Sequence, residues 1–178
     1  MTGTKGRVAT DICHKAKQPL TLSTLRGTAL PPFSLISLDR CFVPGDYRQG
    51  PAIIYFYAGT RSARQPVTLE DAAFQASYAQ HHDDLLAVDA SVIGVSTEPS
   101  PLQRQRKIDG GIPHELLSDP GLRIAEELGL PTEDHNGVTI YKRMVLVASN
   151  GIIDWVLYPI DNPARSASQI VAWMRHHS

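Results

Sequence analysis

The amino-acid sequence predicts an α/β domain in which a central mixed β-sheet lies between two layers of helices. Two strand-length segments, AIIYFY (52–57) and SVIGVST (91–97), are largely apolar, as strands are when both of their faces are covered. A helical pattern follows each of them, and the last third of the chain contains two Asn-Gly dipeptides, which favour hairpin turns. Parallel β-α-β units followed by a hairpin and a closing helix predict three layers, α/β/α.

The N-terminal segments are predicted to form an edge layer of this sheet. LTLSTLRG (20–27) and FSLISLDR (33–40) alternate apolar and polar residues, as half-buried strands do, and Pro31 and Pro32 mark a turn between them. We therefore expect an N-terminal hairpin extension. In this division residues 1–28 form an extension with an edge strand, and residues 29–178 form the main domain.

A capping pattern marks the start of the first long helix. Thr68 and Asp71 have the spacing of a capping box, with Asp in place of the usual Glu. Glu70 and Asp71 also suit the positive N-terminal end of a helix. We therefore expect a helix over residues 69–84.

The segments after the second buried strand alternate between helix and strand patterns. PLQRQRKI (101–108) predicts a short helix that ends at Gly110 and Gly111, and HELLS (114–118) predicts a short strand. SDPGLRIAEELG (118–129) predicts a further helix, with Ser118 or Asp119 as its N-cap and Gly129 as its stop.

The C-terminal third predicts an antiparallel pair of strands and a closing helix. The strand pattern VTIYKRMVLVAS (138–149) lies between Asn136-Gly137 and Asn150-Gly151, so it should pair antiparallel with the strand that follows. DNPARSASQIVAWMRHH (161–177) has apolar residues at helical spacing and predicts an amphipathic helix.

Composition limits the classes of function. A chain of 178 residues fits one domain, and a net charge of −1 gives no basic surface for nucleic acid. Its apolar runs are too short to cross a membrane, and the polar start predicts a cytoplasmic protein. Cys13 and Cys41 are too few for a disulfide scaffold. We expect no cofactor. We also expect no metal site, because neighbouring histidines such as His81 and His82 project apart on a helix and cannot both bind one metal ion.

Four segments in order resemble the peroxiredoxins of the alkyl hydroperoxide reductase and thiol-specific antioxidant (AhpC/TSA) group. They are LPPFSLISLDR with DYRQGPAIIYFYAGT, then VIGVSTEPSPLQRQ, LLSDPGLRIAEELGL and YKRMVLVASNGIIDWV. The resemblance covers nearly all of residues 29–176 and implies a thioredoxin-like fold. It also implies descent from thiol peroxidases, which are oxidoreductases, and a homodimer.

The reactive residue of that family is missing from this sequence. The resemblance implies a cysteine at the start of the first helix, facing an arginine that corresponds to Arg143. Alignment from the strand YFY puts Gln65 in the cysteine position with Ser62 at the preceding threonine. Alignment from VIGVS puts Asp71 there instead, with Thr68 at the threonine, and the capping pattern favours this second register. No cysteine lies between residues 42 and 178, so we expect thiol peroxidase activity to be lost.

The candidate site residues follow from this comparison. The candidates for catalysis are Arg143, Asp71, Thr68 and Glu70, in which the carboxylate of Asp71 could act as a general base. The candidates for substrate binding are Thr60, Ser62, Gln65 and Tyr57. A structural salt bridge from Arg143 to Glu70 or Asp71 is the alternative interpretation.

Three functions remain open at this point. The first is non-redox chemistry on, or binding of, a small polar molecule at the retained pocket around Arg143, for example in a specialised biosynthetic pathway. The second is a non-catalytic binding or scaffold module. The third is residual thiol-dependent peroxide reduction through Cys41 or Cys13. The expected partners are a small-molecule ligand and a second copy of the chain, with no nucleic acid and no membrane.

Overall fold

The computed structural model describes residues 22–31, 35–36, 41–42, 50–60 and 67–177. The elements of the first half are, in chain order, α1 (Leu22–Leu25), β1 (Leu35–Ile36), β2 (Cys41–Phe42), β3 (Ala52–Phe56), α2 (Leu69–Gln80), α3 (His82–Leu86) and β4 (Ser91–Ser96). The second half contains α4 (Ser100–Asp109), β5 (Glu115–Ser118), α5 (Arg123–Leu128), β6 (Thr132–Asp134), β7 (Thr139–Tyr141), β8 (Met144–Ser149), β9 (Ile152–Leu157), a 3₁₀ turn (Pro163–Arg165) and α6 (Ser166–His177).

The main sheet is mixed, as the sequence predicts. Its strand order is β2-β1-β5-β4-β3-β8-β9. Strands β3, β4 and β5 are parallel to one another, whereas β8 pairs antiparallel with β3 and β9 pairs antiparallel with β8. Strand β3 lies inside this sheet and all five of its residues are buried, which explains its uninterrupted apolar sequence.

The sheet separates two hydrophobic clusters, which confirms the three-layer architecture. Alternate residues of β3 enter opposite clusters, with Ile54 and Phe56 in one and Ile53 and Tyr55 in the other. The first cluster contains residues of α1 and α5, and the second contains residues of α2 and α6. No helix in the described ranges is long and apolar enough to span a membrane.

Both Asn-Gly dipeptides form the predicted hairpin turns. Asn136 and Gly137 connect β6 to β7, and Asn150 and Gly151 connect β8 to β9. All four residues have positive φ angles, between 52° and 77°, as a type I′ turn requires.

Four of the predicted elements differ from the structure. The edge strand predicted over 20–27 is wrong where the chain is described, because residues 22–25 form helix α1 and place Leu25 in the core. The helix predicted over 69–84 is interrupted at His81 and continues as α3. The helix predicted after Ser118 begins only at Arg123, since Leu122 adopts the left-handed conformation. The strand predicted over 138–149 divides at Lys142 and Arg143, where the chain passes from the two-stranded sheet to the main sheet.

Candidate functional site

The candidate site lies at one edge of the main sheet, where the parallel strands end. Phe56 at the end of β3 pairs with Val95 of β4 on one side and with Met144, the first residue of β8, on the other. Helices α2 and α4 follow β3 and β4 from this edge. In open α/β sheets, ligands bind outside the carboxyl ends of the strands.

The first cluster of polar residues joins the start of α2 to the residue before β8. Thr68 is the N-cap of α2, and its hydroxyl accepts a hydrogen bond from the backbone N–H of Asp71 at 3.1 Å, as the capping pattern predicts. Arg143 donates from Nη1 to Oδ1 of Asp71 at 3.0 Å and from Nη2 to Oε2 of Glu70. The structure therefore brings together all four residues predicted for catalysis.

The two carboxylates that bind Arg143 differ in their exposure to solvent. The Asp71 side chain is 2% exposed, whereas the Glu70 side chain is 66% exposed. An exposed ion pair contributes about 0–1 kcal/mol, so Glu70 can be displaced at little cost. Asp71 is buried, and its backbone N–H is hydrogen-bonded to Thr68. Its carboxylate therefore holds one side of the guanidinium in a fixed position.

A second cluster surrounds Glu98, which follows β4 and is fully buried. Its Oε1 accepts hydrogen bonds from the backbone N–H of Thr60 at 2.7 Å and from the Thr60 hydroxyl at 3.0 Å. Its Oε2 accepts from the Tyr57 hydroxyl at 3.1 Å and from Nε of Arg106 at 3.0 Å, and Nη2 of Arg106 donates to Oε1. The buried carboxylate is thus bound by a cation and by neutral donors.

The electrostatics of this second cluster favour the ion pair. Burial alone would lower the pKa of Arg106, but the hydrogen bond and charge of Glu98 outweigh burial and raise that pKa above its ordinary value. The charge of Asp71 acts in the same direction. Burial, with the charge of Glu98, raises the pKa of Tyr57 well above its ordinary value, which keeps its hydroxyl a neutral donor.

A third polar group in this part of the molecule is a pair of residues in the hydrophobic core, Tyr55 and His114. The Tyr55 hydroxyl and Nε2 of His114 are 2.8 Å apart, and both residues are buried. Burial lowers the pKa of His114 to about 3, with the charges of His82 and Lys107 adding to the shift. Gly94 makes this packing possible, because a Cβ atom there would lie 2.6 Å from the Tyr55 ring.

Two of the residues predicted for substrate binding, Thr60 and Tyr57, donate hydrogen bonds to Glu98. The other two, Ser62 and Gln65, lie outside the described residues. Glu98 and Arg106 were not among the predicted residues. A signal for Glu98 was present, because an acidic residue directly after a buried apolar strand needs a cation close by.

Cys41 lies far from Arg143 along the sheet. Strand β2, which contains Cys41, is at one edge, and five steps between neighbouring strands separate it from β8. At roughly 4.8 Å for each step, this separation is about 24 Å. Cys13 lies outside the described residues.

Comparison with known proteins identifies a matching family and several relatives. The AhpC/TSA family matches residues 26–156. Peroxiredoxin Q, chloroplastic, of Oryza sativa subsp. japonica is 26% identical over 132 residues, which are 74% of this chain and 58% of the rice protein. The peroxiredoxin Q of Sedum lineare is 25% identical over 141 residues, 79% of this chain and 72% of that protein.

Solved structures of other proteins have a similar fold. The peroxidoxin BcpB of Mycobacterium tuberculosis superposes with a TM-score of 0.75 at 18% identity, covering 86% of this chain and 97% of that one. A PrxQ variant of Xylella fastidiosa gives a TM-score of 0.74 at 16% identity, covering 85% and 96%. These likenesses confirm the predicted thioredoxin-like fold.

Proposed function

The chain belongs to the AhpC/TSA family, and we propose that it uses the peroxiredoxin fold for non-redox work on a small polar molecule at the Arg143 edge. The observation that carries this proposal is the contact between Arg143 and the buried carboxylate of Asp71 at the start of α2. The family resemblance implies a reactive thiolate opposite that arginine, and the register favoured by the capping pattern gives its position to Asp71. A carboxylate in its place can accept a proton or bind a cation, but it cannot be oxidised and reduced as sulfur is.

The position of Cys41 supports the absence of thiol chemistry at this edge. Cys41 is on β2, five strand steps from β8, and the chain from residue 42 onward contains no cysteine. A thiol needs a nearby positive charge or helix N-terminus to become a reactive thiolate at neutral pH. Arg143 and the start of α2 are both too far from the backbone of Cys41 to supply that environment.

The difference between Glu70 and Asp71 supports ligand binding by Arg143. A polar oxygen of a ligand would replace the exposed Glu70 carboxylate on Nη2 of Arg143, while Asp71 remains bound to Nη1. Asp71 would then lie beside the ligand and could act as its general base. The proposed roles are therefore binding by Arg143 and proton transfer by Asp71.

A non-catalytic scaffold is the second candidate function. Both terminal nitrogens of Arg143 form ion pairs with carboxylates. Such pairing is also typical of an arginine with a purely structural role, which favours the scaffold. Arg143 does not line the cavity between α2 and α4, nor the cavity formed by residues such as Val88 and Trp173. The cytoplasmic location and the homodimer stay predictions, and the curated relatives named above are chloroplastic proteins by name.

A thermal-shift screen of small metabolites separates these two functions. A ligand that binds only the folded chain raises its melting temperature by mass action. We expect at least one polar metabolite to stabilise the wild type and the control Arg175→Ala, whose arginine forms an exposed pair with Asp84, but not Arg143→Ala. A screen in which every hit stabilises Arg143→Ala equally would favour the scaffold.

A peroxide assay tests the loss of redox activity separately. With dithiothreitol as reductant, hydrogen peroxide consumption by the wild type should equal that of the variant in which Cys13 and Cys41 are both replaced by serine. Rapid consumption that disappears with either replacement would instead support residual thiol peroxidase activity.

A further inference from the structure

A cavity of about 890 Å³, with Trp173 in its wall, lies at the edge of the main sheet opposite to Arg143. The parallel strands β3 and β4 begin at this edge, and the residues that precede them, 50–51 and 88–89, form part of the wall. The end of α6 forms another part. Small-molecule sites have volumes of about 300–1,000 Å³, so the Trp173 cavity is large enough for a ligand.

Trp173 gives this cavity a rigid apolar wall. Its indole ring stacks on Trp155, with 5.0 Å between the ring centroids, and on the imidazole of His177, with 4.4 Å. The imidazole is held in turn by a hydrogen bond from its Nδ1 to the Trp173 carbonyl at 2.8 Å. Val88 and Pro51 add further apolar surface to the wall. A wall that is already ordered lowers the entropic cost of binding a ligand.

Arg26 and Asp154 bring opposite charges to one end of the cavity. The N–H of Gly27 donates to the carbonyl of Ile153 at 2.7 Å, which places the preceding Arg26 and the following Asp154 at the same end. Strand β9 bulges at Asp154, which has no partner residue on β8, and a bulge re-aims the side chain at its position. Neither side chain forms a hydrogen bond or an ion pair within the described part of the chain. An unpaired guanidinium beside an unpaired carboxylate matches the carboxylate and the ammonium group of an α-amino acid.

Asp89 supplies a second carboxylate at the other end of the cavity. It precedes β4, and three steps between neighbouring strands separate β4 from β9, or about 14 Å at roughly 4.8 Å for each step. Its side chain is exposed and has no hydrogen-bond or ion-pair partner among the described residues. The wall therefore presents two carboxylates and one guanidinium, and this charge favours a ligand with one positive charge in excess.

We propose that the Trp173 cavity binds a basic α-amino acid of the length of arginine. The carboxylate of the amino acid binds Arg26, and its α-ammonium group binds Asp154. The side-chain guanidinium pairs with Asp89, and the methylene groups between the two ends contact Trp173. Such a ligand carries one net positive charge, which complements the charge of the wall. This site goes beyond the proposed function, because it lies at the edge opposite to Arg143.

The test is a titration of the ¹⁵N-labelled full chain with L-arginine at neutral pH and constant ionic strength, followed by two-dimensional NMR. We expect saturable shifts of the backbone signals of Gly50, Val88 and Asp89. L-citrulline has the same length but a neutral side chain, and N-acetyl-L-arginine lacks the ammonium group. Each should bind about fivefold more weakly than L-arginine, which is the effect of one exposed ion pair. Absence of saturable shifts with L-arginine would overturn the proposal, and so would equal affinity for L-citrulline.

Three variants assign the individual contacts. Asp89→Asn should weaken L-arginine binding about fivefold and leave the affinity for L-citrulline unchanged, because citrulline has no side-chain charge to lose. Asp154→Asn should weaken L-arginine binding by a similar factor and leave N-acetyl-L-arginine unaffected, and Arg26→Gln should weaken the binding of all three compounds. Unchanged L-arginine affinity in Asp89→Asn would contradict the assignment.

Two control variants separate this site from general charge effects and from the proposed function. Asp83→Asn removes the same charge as Asp89→Asn at an exposed position of α3 outside the cavity wall, and it should bind L-arginine as the wild type does. Arg143→Ala should also bind L-arginine with unchanged affinity. Equal weakening in Asp83→Asn and Asp89→Asn would show a general charge effect and would refute the site.

Discussion

Removal of Arg106 should reveal how much the buried ion pair with Glu98 contributes to stability. Glu98 is fully buried, and in Arg106→Met its carboxylate keeps only the donors of Thr60 and Tyr57. Removing one partner of a buried pair costs about 3–5 kcal/mol. Because the Arg106 side chain is 13% exposed, and methionine restores part of its packing, we expect a loss near the lower limit, about 3 kcal/mol.

The measurement is equilibrium unfolding in urea, with the midpoint compared at constant slope. Arg175→Met is the matched control, because Arg175 and Asp84 are 58% and 48% exposed and such a pair contributes at most about 1 kcal/mol. The double variant Glu98→Leu with Arg106→Met removes both charges and should regain part of the lost stability. A loss below about 1 kcal/mol in Arg106→Met, equal to that of the control, would refute the assignment of a buried, desolvated pair.

Three further predictions concern buried residues of the core and of α2. Burial lowers the pKa of His114 to about 3 in the folded state, from about 6.5 for an exposed histidine, so its contribution to stability is complete above pH 6.5 and is lost as the pH falls towards 3. Between pH 7 and pH 5 the wild type should therefore lose about 2 kcal/mol more unfolding free energy than His114→Gln, and equal losses would contradict a buried neutral imidazole. Gly94→Ala should cost about 1–3 kcal/mol through overlap with Tyr55. In the same urea titration, Gly121→Ala should be nearly neutral, since its Cβ would meet only one atom, at 3.9 Å. Nε2 of Gln75 is buried and has no hydrogen-bond partner among the described residues, so Gln75→Leu should raise stability by about 1 kcal/mol. A clear decrease would show that the amide is hydrogen-bonded.

The sequence predicts the centre of the fold better than its margins. The segment AIIYFY contains no polar interruption, and in the structure β3 is covered on both faces. Both Asn-Gly turns were predictable because a type I′ turn selects those residues. The segment at 22–25 was not, because four residues with leucine at each end fit a strand and a helical turn equally well. The burial of Leu25 against the rest of the core decides in favour of the helix.

The candidate site was predictable where local rules apply and was not where long-range contacts decide. Thr68 was identified as a cap from its spacing to Asp71, and the structure contains that hydrogen bond. The pairing of Arg143 with Asp71 joins residues 72 positions apart, and it followed only from the family resemblance and from the alternative of a structural salt bridge, not from a local rule. The Glu98 cluster was missed because its cation comes from the face of α4, and helical periodicity alone does not show which charge turns inward.

The most direct test of the central claim is the rate at which hydrogen peroxide oxidises the thiols of the folded chain, followed by mass spectrometry in the wild type and in Arg143→Ala. If the Arg143 edge is a carboxylate site, both proteins will react slowly and at the same rate, as ordinary cysteines do. Rapid oxidation of Cys13 or Cys41 that slows in Arg143→Ala would show that a thiol reaches this arginine and would contradict the account.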